Sequence, residues 1–337
     1  MFNVGHYQYR CIDHSLLDPY LRHYFAKPLH QLIPSWVPAN YLSLLGHLCV
    51  WSVFFLVITT TKPAFIWVCL FMLQLYLVID VLDGMQARVT QTSSPLGEYI
   101  DHGGDAFNCG LIIYSSLFLL NVSSDWFYYV LIGLGTLIFS LVSIEKKLTG
   151  YCVFPKIGNV ELQLFLIAFL ALLQIPTLEN RLSIPLLGFS IATWVLFFIA
   201  FVGGLMSFHS SLSRIPRLPL PFWFFIIQSS LLILVLIGQS SARTLSSLIL
   251  ICFMATYNSE ILFSHLIKSK LPWPDWTSCL AITLLISARM MQWHVPIDLF
   301  YVFFVYLIIR ALWAVRNVLH YYEQFWVWVN PTQDTIG

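Results

Sequence analysis

The chain has 337 residues, of which 58 % are hydrophobic and only 10 % charged, and a mean hydropathy of +0.78. That balance excludes a soluble globular domain and points to an all-α polytopic membrane protein. A net charge of +1 argues against a nucleic-acid partner, and seven cysteines without paired spacing read as small core residues rather than disulfides or metal ligands.

Residues 1–36 form a polar lead. The first 30 carry several His and Arg, too polar for a cleavable signal peptide. Leu16, Leu17, Tyr20, Leu21 and Tyr24 recur at helical spacing, with Arg22, His23 and Lys27 between or after them. This predicts an amphipathic helix, lying in the headgroup plane or packed on the protein's own cytosolic face. Ten apolar stretches follow, at 42–60, 64–82, 102–120, 126–144, 160–176, 184–207, 219–238, 245–264, 276–292 and 297–315. Each is near the ~20 residues that cross a bilayer. With the N terminus inside, thirteen Lys and Arg fall on the inner side and three (Lys62, Arg181, Arg243) on the outer, with Arg289 inside the ninth stretch. The bias fits positive-inside and places the inner ends of stretches two and three in the cytosol.

Those inner ends carry the polar chemistry. Five of the sixteen acidic residues lie between Asp80 and Asp105. Four unpartnered aspartates in a membrane would cost on the order of 10 kcal/mol, so a compensating charge is expected. Asp80 and Asp83 are spaced i, i+3, and Asp101 and Asp105 i, i+4, so each pair shares one helix face. Two such helices joined by a turn would aim four carboxylates at one volume. Hard oxygen ligands suit Mg²⁺, Mn²⁺ or Ca²⁺, and four leave room for two ions. Gly84 and Gly97 allow close approach, and Arg88 can balance charge or hold a phosphate. A buried ion-pair network or an ion pathway is the competing reading of such a cluster.

The second half carries fewer site-like groups. Glu260 in stretch eight and Arg289 in stretch nine are expected to pair. Stretches six to ten are read as walls of a lipid-accessible chamber or as an oligomer contact, which allows a homodimer. Trp273, Trp276, Trp293, Trp313, Trp326 and Trp328 sit near helix ends, as interfacial anchors do.

The pattern Asp80-x-x-Asp83-Gly84-x-x-Ala87-Arg88, eight residues, Gly97-x-x-x-Asp101-x-x-x-Asp105 resembles the signature of the CDP-alcohol phosphotransferase family, with every position filled. Ser93-Ser94-Pro95-Leu96-Gly97-Glu98 and Asp101-His102-Gly103 resemble its choline/ethanolamine branch. The resemblance implies transfer of phosphocholine or phosphoethanolamine from CDP-choline or CDP-ethanolamine to diacylglycerol, with release of CMP. It implies Mg²⁺ (or Mn²⁺), two ions, on Asp80, Asp83, Asp101 and Asp105. It implies a nucleotide site at Asp80, Gly84, Ala87, Arg88, Gly97 and Glu98. Asn40, in Pro38-Ala39-Asn40, resembles a Pro-Asn segment whose Asn contacts the nucleotide, although Ala39 intervenes; an N-cap is the alternative. Catalysis would then lie in 37–210, with 211–337 as further membrane helices of a single domain. The site would face the cytosol, in endoplasmic reticulum or Golgi membranes if eukaryotic and in the inner membrane if bacterial.

The attacking hydroxyl needs a base. His102 follows a ligand-type Asp, and imidazole titrates near neutral pH; the branch resemblance gives it this role. Asp105 holds it by resemblance to the wider family. Glu161 is third, with favourable placement at a helix start as its alternative. Another headgroup or acceptor, such as inositol or glycerol phosphate, is the nearest rival. An Asp-rich membrane prenyltransferase and a transporter are more distant ones; transport would be expected to spread charges over several depths.

Overall fold

The computed structural model describes residues 10–60, 65–237, 243–291, 293 and 295–322. Trp326 and Trp328, expected as anchors, lie outside them. The lead holds a short strand and then the expected helical segment, continuous over residues 18–30 with a π-helical turn in its middle. Strand β1 (Cys11–Asp13) is followed by helix α1 (Asp18–Leu21), a π-helical turn (Arg22–Ala26) and helix α2 (Lys27–His30). β1 pairs in parallel with β2 (Cys152–Phe154), with Cys11 opposite Cys152. Leu21 and Ala26 are buried, whereas Tyr20, Tyr24, Phe25 and Leu32 are exposed. The lead therefore docks on the protein and still presents an apolar surface outward.

Pro38, in an extended conformation, ends the lead and starts α3 (Ala39–Thr59). Then come α4 (Phe65–Val89), α5 (Pro95–Leu119), α6 (Asp125–Thr149), α7 (Asn159–Leu172) and α8 (Pro176–Leu182). A small hairpin of β3 (Pro185–Leu186) and β4 (Phe189–Ser190) precedes α9 (Ile191–Leu212), α10 (Leu220–Leu236), α11 (Arg243–Leu266), α12 (Trp276–Met290) and α13 (Ile297–Tyr322).

The ten apolar stretches do not become ten membrane-crossing helices. Among the described residues, α3, α4, α6, α9, α11 and α13 are long and apolar enough to cross. α7 and α8 make a seventh only if taken as one span broken by a 107° bend; Pro176 opens the second piece. α10 and α12 have 17 and 15 residues, about 25 and 22 Å of helix against the ~30 Å of a hydrocarbon core. α5 is as long as α4, at 25 residues, but Glu98, Asp101, His102 and Asp105 fill its first half.

α11 is the axis of the bundle. Of its most apolar window 83 % is buried, against 22 % for α9 and α13. It packs on α5, α6 and α13. Two glycines of α5 admit it: a Cβ on Gly110 would lie 2.5 Å from Ile251, and one on Gly103 would lie 3.6 Å from Ser259 Oγ. Arg243 at the start of α11 donates to Asp125 at the start of α6, 2.5 Å away, so these two helices run in the same direction. The expected Glu260–Arg289 pair does not form. Glu260 pairs with Arg310 of α13, and Arg289 donates to the carbonyls of Leu234 and Val235 at 2.9 and 2.7 Å. Those carbonyls belong to the last turn of α10, where acceptors lack intrahelical partners.

Candidate active site

The turn between α4 and α5 sets the site. Gln91 takes a left-handed conformation (φ 55°), and Thr92 N donates to Ala87 O at 3.0 Å, closing α4 as a Schellman motif does. Ser94 then caps α5, its Oγ accepting from Gly97 N at 3.0 Å, and Pro95 follows in the first turn. The C-terminal turns of α4 and the N-terminal turns of α5 are thereby set side by side.

The carboxylates converge. One oxygen each from Asp80, Asp83 and Asp101 lies within 4.8 Å of the others, and so do ligand atoms of Asp101, His102 and Asp105. Asp101 belongs to both groups and links them. Asp80 and Asp101 stand close enough to interact directly. Asp83 Oδ2 accepts from Ser43 Oγ of α3 at 2.5 Å, and Asp105 Oδ1 accepts from Tyr76 OH of α4 at 2.7 Å. Asp83 and Asp105 are buried, while Asp80, Asp101 and His102 are half-buried. His102 Nδ1 is 3.8 Å from Asp101 Oδ2. The group of Asp80, Asp83 and Asp101, carboxylate oxygens only, fits a hard divalent cation such as Mg²⁺, and the second group adds a His102 nitrogen.

The other predicted residues divide. Arg88 is exposed and folds back over Gly84, where a Cβ would lie 3.4 Å from its guanidinium; Ala87 beside it is half-buried. Asn40 is not the N-cap, a position held by Pro38; it lies in the first turn of α3. A Cβ on Gly97 would lie 2.9 Å from Asn40 Oδ1, so Asn40 and Gly97 adjoin at the rim of the site. Glu98 is buried in an ion pair with Lys146 of α6. Glu161 accepts from Ser15 Oγ (2.5 Å), Leu17 N (2.9 Å) and Gly158 N (2.8 Å). Its carboxylate caps α7 and fastens the lead.

Residues 36–206 match the family described as CDP-alcohol phosphatidyltransferase. The chain belongs to that family. Cholinephosphotransferase 1 of Homo sapiens is 32 % identical over 204 residues, 54 % of this chain and 50 % of that protein. Its Bos taurus counterpart is 27 % identical over 299 residues, 79 % of this chain and 72 % of that one. Choline/ethanolaminephosphotransferase 2 of Arabidopsis thaliana is 35 % identical over 140 residues, 37 % and 34 % of the two chains. The chain thus aligns with about half the length of the human relative and a third of the plant one.

For this family member, the motif alone misses the groups that hold the carboxylates. Ser43, His47, Tyr76, Asn108 and Lys146 were outside it, yet each touches a motif residue or the helix that carries one. Their signal in sequence is weak but present. Ser43 and His47 are four apart on an otherwise apolar helix, and Tyr76 is one turn before Asp80.

Proposed function

We propose that the protein transfers a phosphoalcohol, phosphocholine or phosphoethanolamine, from a CDP-alcohol to the hydroxyl of diacylglycerol, giving a phospholipid and CMP. The observation that carries this is the convergence of all four motif aspartates, with Asp101 common to both ligand groups. Residues 37–210 do the chemistry at the cytosolic surface. Asp80, Asp83, Asp101 and Asp105 would hold two divalent ions. When bound, Mg²⁺ or Mn²⁺ supplies positive charge against the diphosphate and the departing CMP.

The chain's own residues do the rest. Arg88 contributes a cationic fork to the phosphates. Gly84 and Ala87 keep the wall of α4 low, and Asn40 and Gly97 form the opposite rim of the nucleotide site. His102 is the base. The diacylglycerol oxygen bonds to the phosphorus that carries the alcohol, the bond from that phosphorus to the bridging oxygen breaks, and CMP leaves with that oxygen. The hydroxyl proton passes to His102. His102, whose Nδ1 lies 3.8 Å from Asp101 Oδ2, is preferred to Asp105, whose Oδ1 is occupied by Tyr76. We give Glu161 a structural role, because its three accepted hydrogen bonds tie down α7 and the lead.

The test is CMP release by the purified chain with Mg²⁺, diacylglycerol and a panel of CDP-alcohols, beside Asp101→Asn. Release that needs metal, diacylglycerol and Asp101 is expected, and the best donor names the headgroup. A folded, metal-supplied protein that releases no CMP from any donor overturns the proposal.

A further inference from the structure

α3 carries a single histidine midway along its apolar length, and it faces the site helix rather than lipid. His47 lies against Gly104 of α5, where a Cβ would stand 2.2 Å from its Nε2. No side chain fits at position 104 while the imidazole is there. The ring makes two polar contacts: Nε2 is 3.0 Å from Ile100 O, and Nδ1 is 2.8 Å from Asn108 Nδ2. A carbonyl only accepts, so Nε2 carries the proton. Nδ1 of that neutral tautomer is an acceptor, and Asn108 donates to it.

This fixes the amide of Asn108. The residue is wholly buried, and its Oδ1 has no hydrogen-bond partner among the described residues. Turning the amide over would set Oδ1 against Nδ1, which has no proton to give. The amide therefore keeps its N–H side toward His47, and it interacts electrostatically with Asp105, one turn earlier on the same face of α5. Asp105 in turn holds Tyr76 OH on its Oδ1. Ile100, the other partner of His47, directly precedes Asp101.

We propose that His47 is a positioning residue for Asp105 and Asp101. It acts on Asp105 through the amide of Asn108, and on Asp101 through the α5 backbone at Ile100. This rests on the reading of those aspartates as metal ligands given above. Groups that orient a ligand typically change metal affinity or activity by about 10–100-fold when removed.

The experiment compares wild-type protein, His47→Leu and His47→Gln, each as the full chain in detergent. The first readout is the Mg²⁺ or Mn²⁺ concentration that gives half-maximal thermal stabilisation, without any CDP-alcohol. The second is kcat and KM for CMP release. For H47L we expect a metal midpoint raised about tenfold and a kcat lowered about tenfold, with KM for the CDP-alcohol within about twofold. H47Q can donate to Ile100 and accept from Asn108, and it should recover most of both losses. Wild-type values in H47L overturn the proposal, and so does an H47Q as impaired as H47L. If H47L does not fold, H47Q and Asn108→Ala carry the test: N108A is expected to behave as described for H47L, and wild-type behaviour of N108A overturns the proposal. A wild-type protein that binds the ions but releases no CMP would remove the proposed reaction and leave this metal test standing. A wild-type protein that gains no stability from either ion would remove both.

Discussion

Two sets of carboxylates sit in this bundle under opposite arrangements. Glu260 and Asp275 share Arg310, with 3.1 Å between Arg310 Nη1 and Asp275, and Asp125 and Glu145 meet Arg243 and Arg214. Those groups neutralise one another and join helices. Asp80, Asp83, Asp101 and Asp105 instead turn toward one another. Like charges gathered this closely repel, so the native fold alone works against them. The first set is finished when the chain folds. The second fits completion by a divalent cation, and that difference distinguishes a structural polar group from a candidate functional one.

The comparison can be broken from either side. Asp80→Asn should have the largest effect, lowering CMP release by about 10²–10³-fold, as expected for loss of a central charge-stabilising group. It should also raise the melting temperature of the metal-free protein, because one repelling charge is gone. A fall in that temperature would mean that Asp80 is held by pairing, like Glu260. Arg310→Leu should do the reverse. It should cost about 3 kcal/mol of stability by leaving Glu260 without its cation, seen in thermal unfolding, and adding Glu260→Gln should restore part of it.

The smallest effect concerns pH. Burial alone would raise the Asp275 carboxyl, but hydrogen bonds from Ser278, Tyr306 and Thr277 hold it at about 2, below its ordinary 3.8. A lowered folded-state value means that this contribution is complete above pH 3.8 and lost as pH falls through about 2. Between these values wild-type protein should lose more stability than Asp275→Asn, as followed by helical circular dichroism. Equal slopes would mean that Asp275 does not sense its partners.

Much of the first half was legible from spacing. The i, i+3 and i, i+4 aspartates predicted two helix faces and one cluster, because helical periodicity is local. What joins helices is not local. Glu260 was matched to Arg289, but Arg289 was drawn to the free carbonyls of α10 and Arg310 took its place. The helical spacing of the lead's residues matched a helical segment over 18–30, but nothing local announced that Cys11, just before it, would pair with Cys152, 141 positions away. Counting apolar stretches gave ten spans. The third stretch, 102–120, lies on a helix whose first half carries Glu98, Asp101 and Asp105, and the fifth, 160–176, holds only the 14-residue α7 before Pro176 starts a new helix.

The burial of α11 bears on the order of assembly. The family match ends at residue 206, but the helix that fills the glycine-lined groove of α5 begins at Arg243. At synthesis rates of about 5–20 residues per second, α11 leaves the ribosome roughly ten seconds after α5. For that interval Gly103 and Gly110 must face lipid tails or a holding factor. The packing of α5, the helix that carries half of the carboxylates, is therefore a late product of biogenesis. A chain stalled after α9 would contain every motif residue and still lack the helix against which α5 packs.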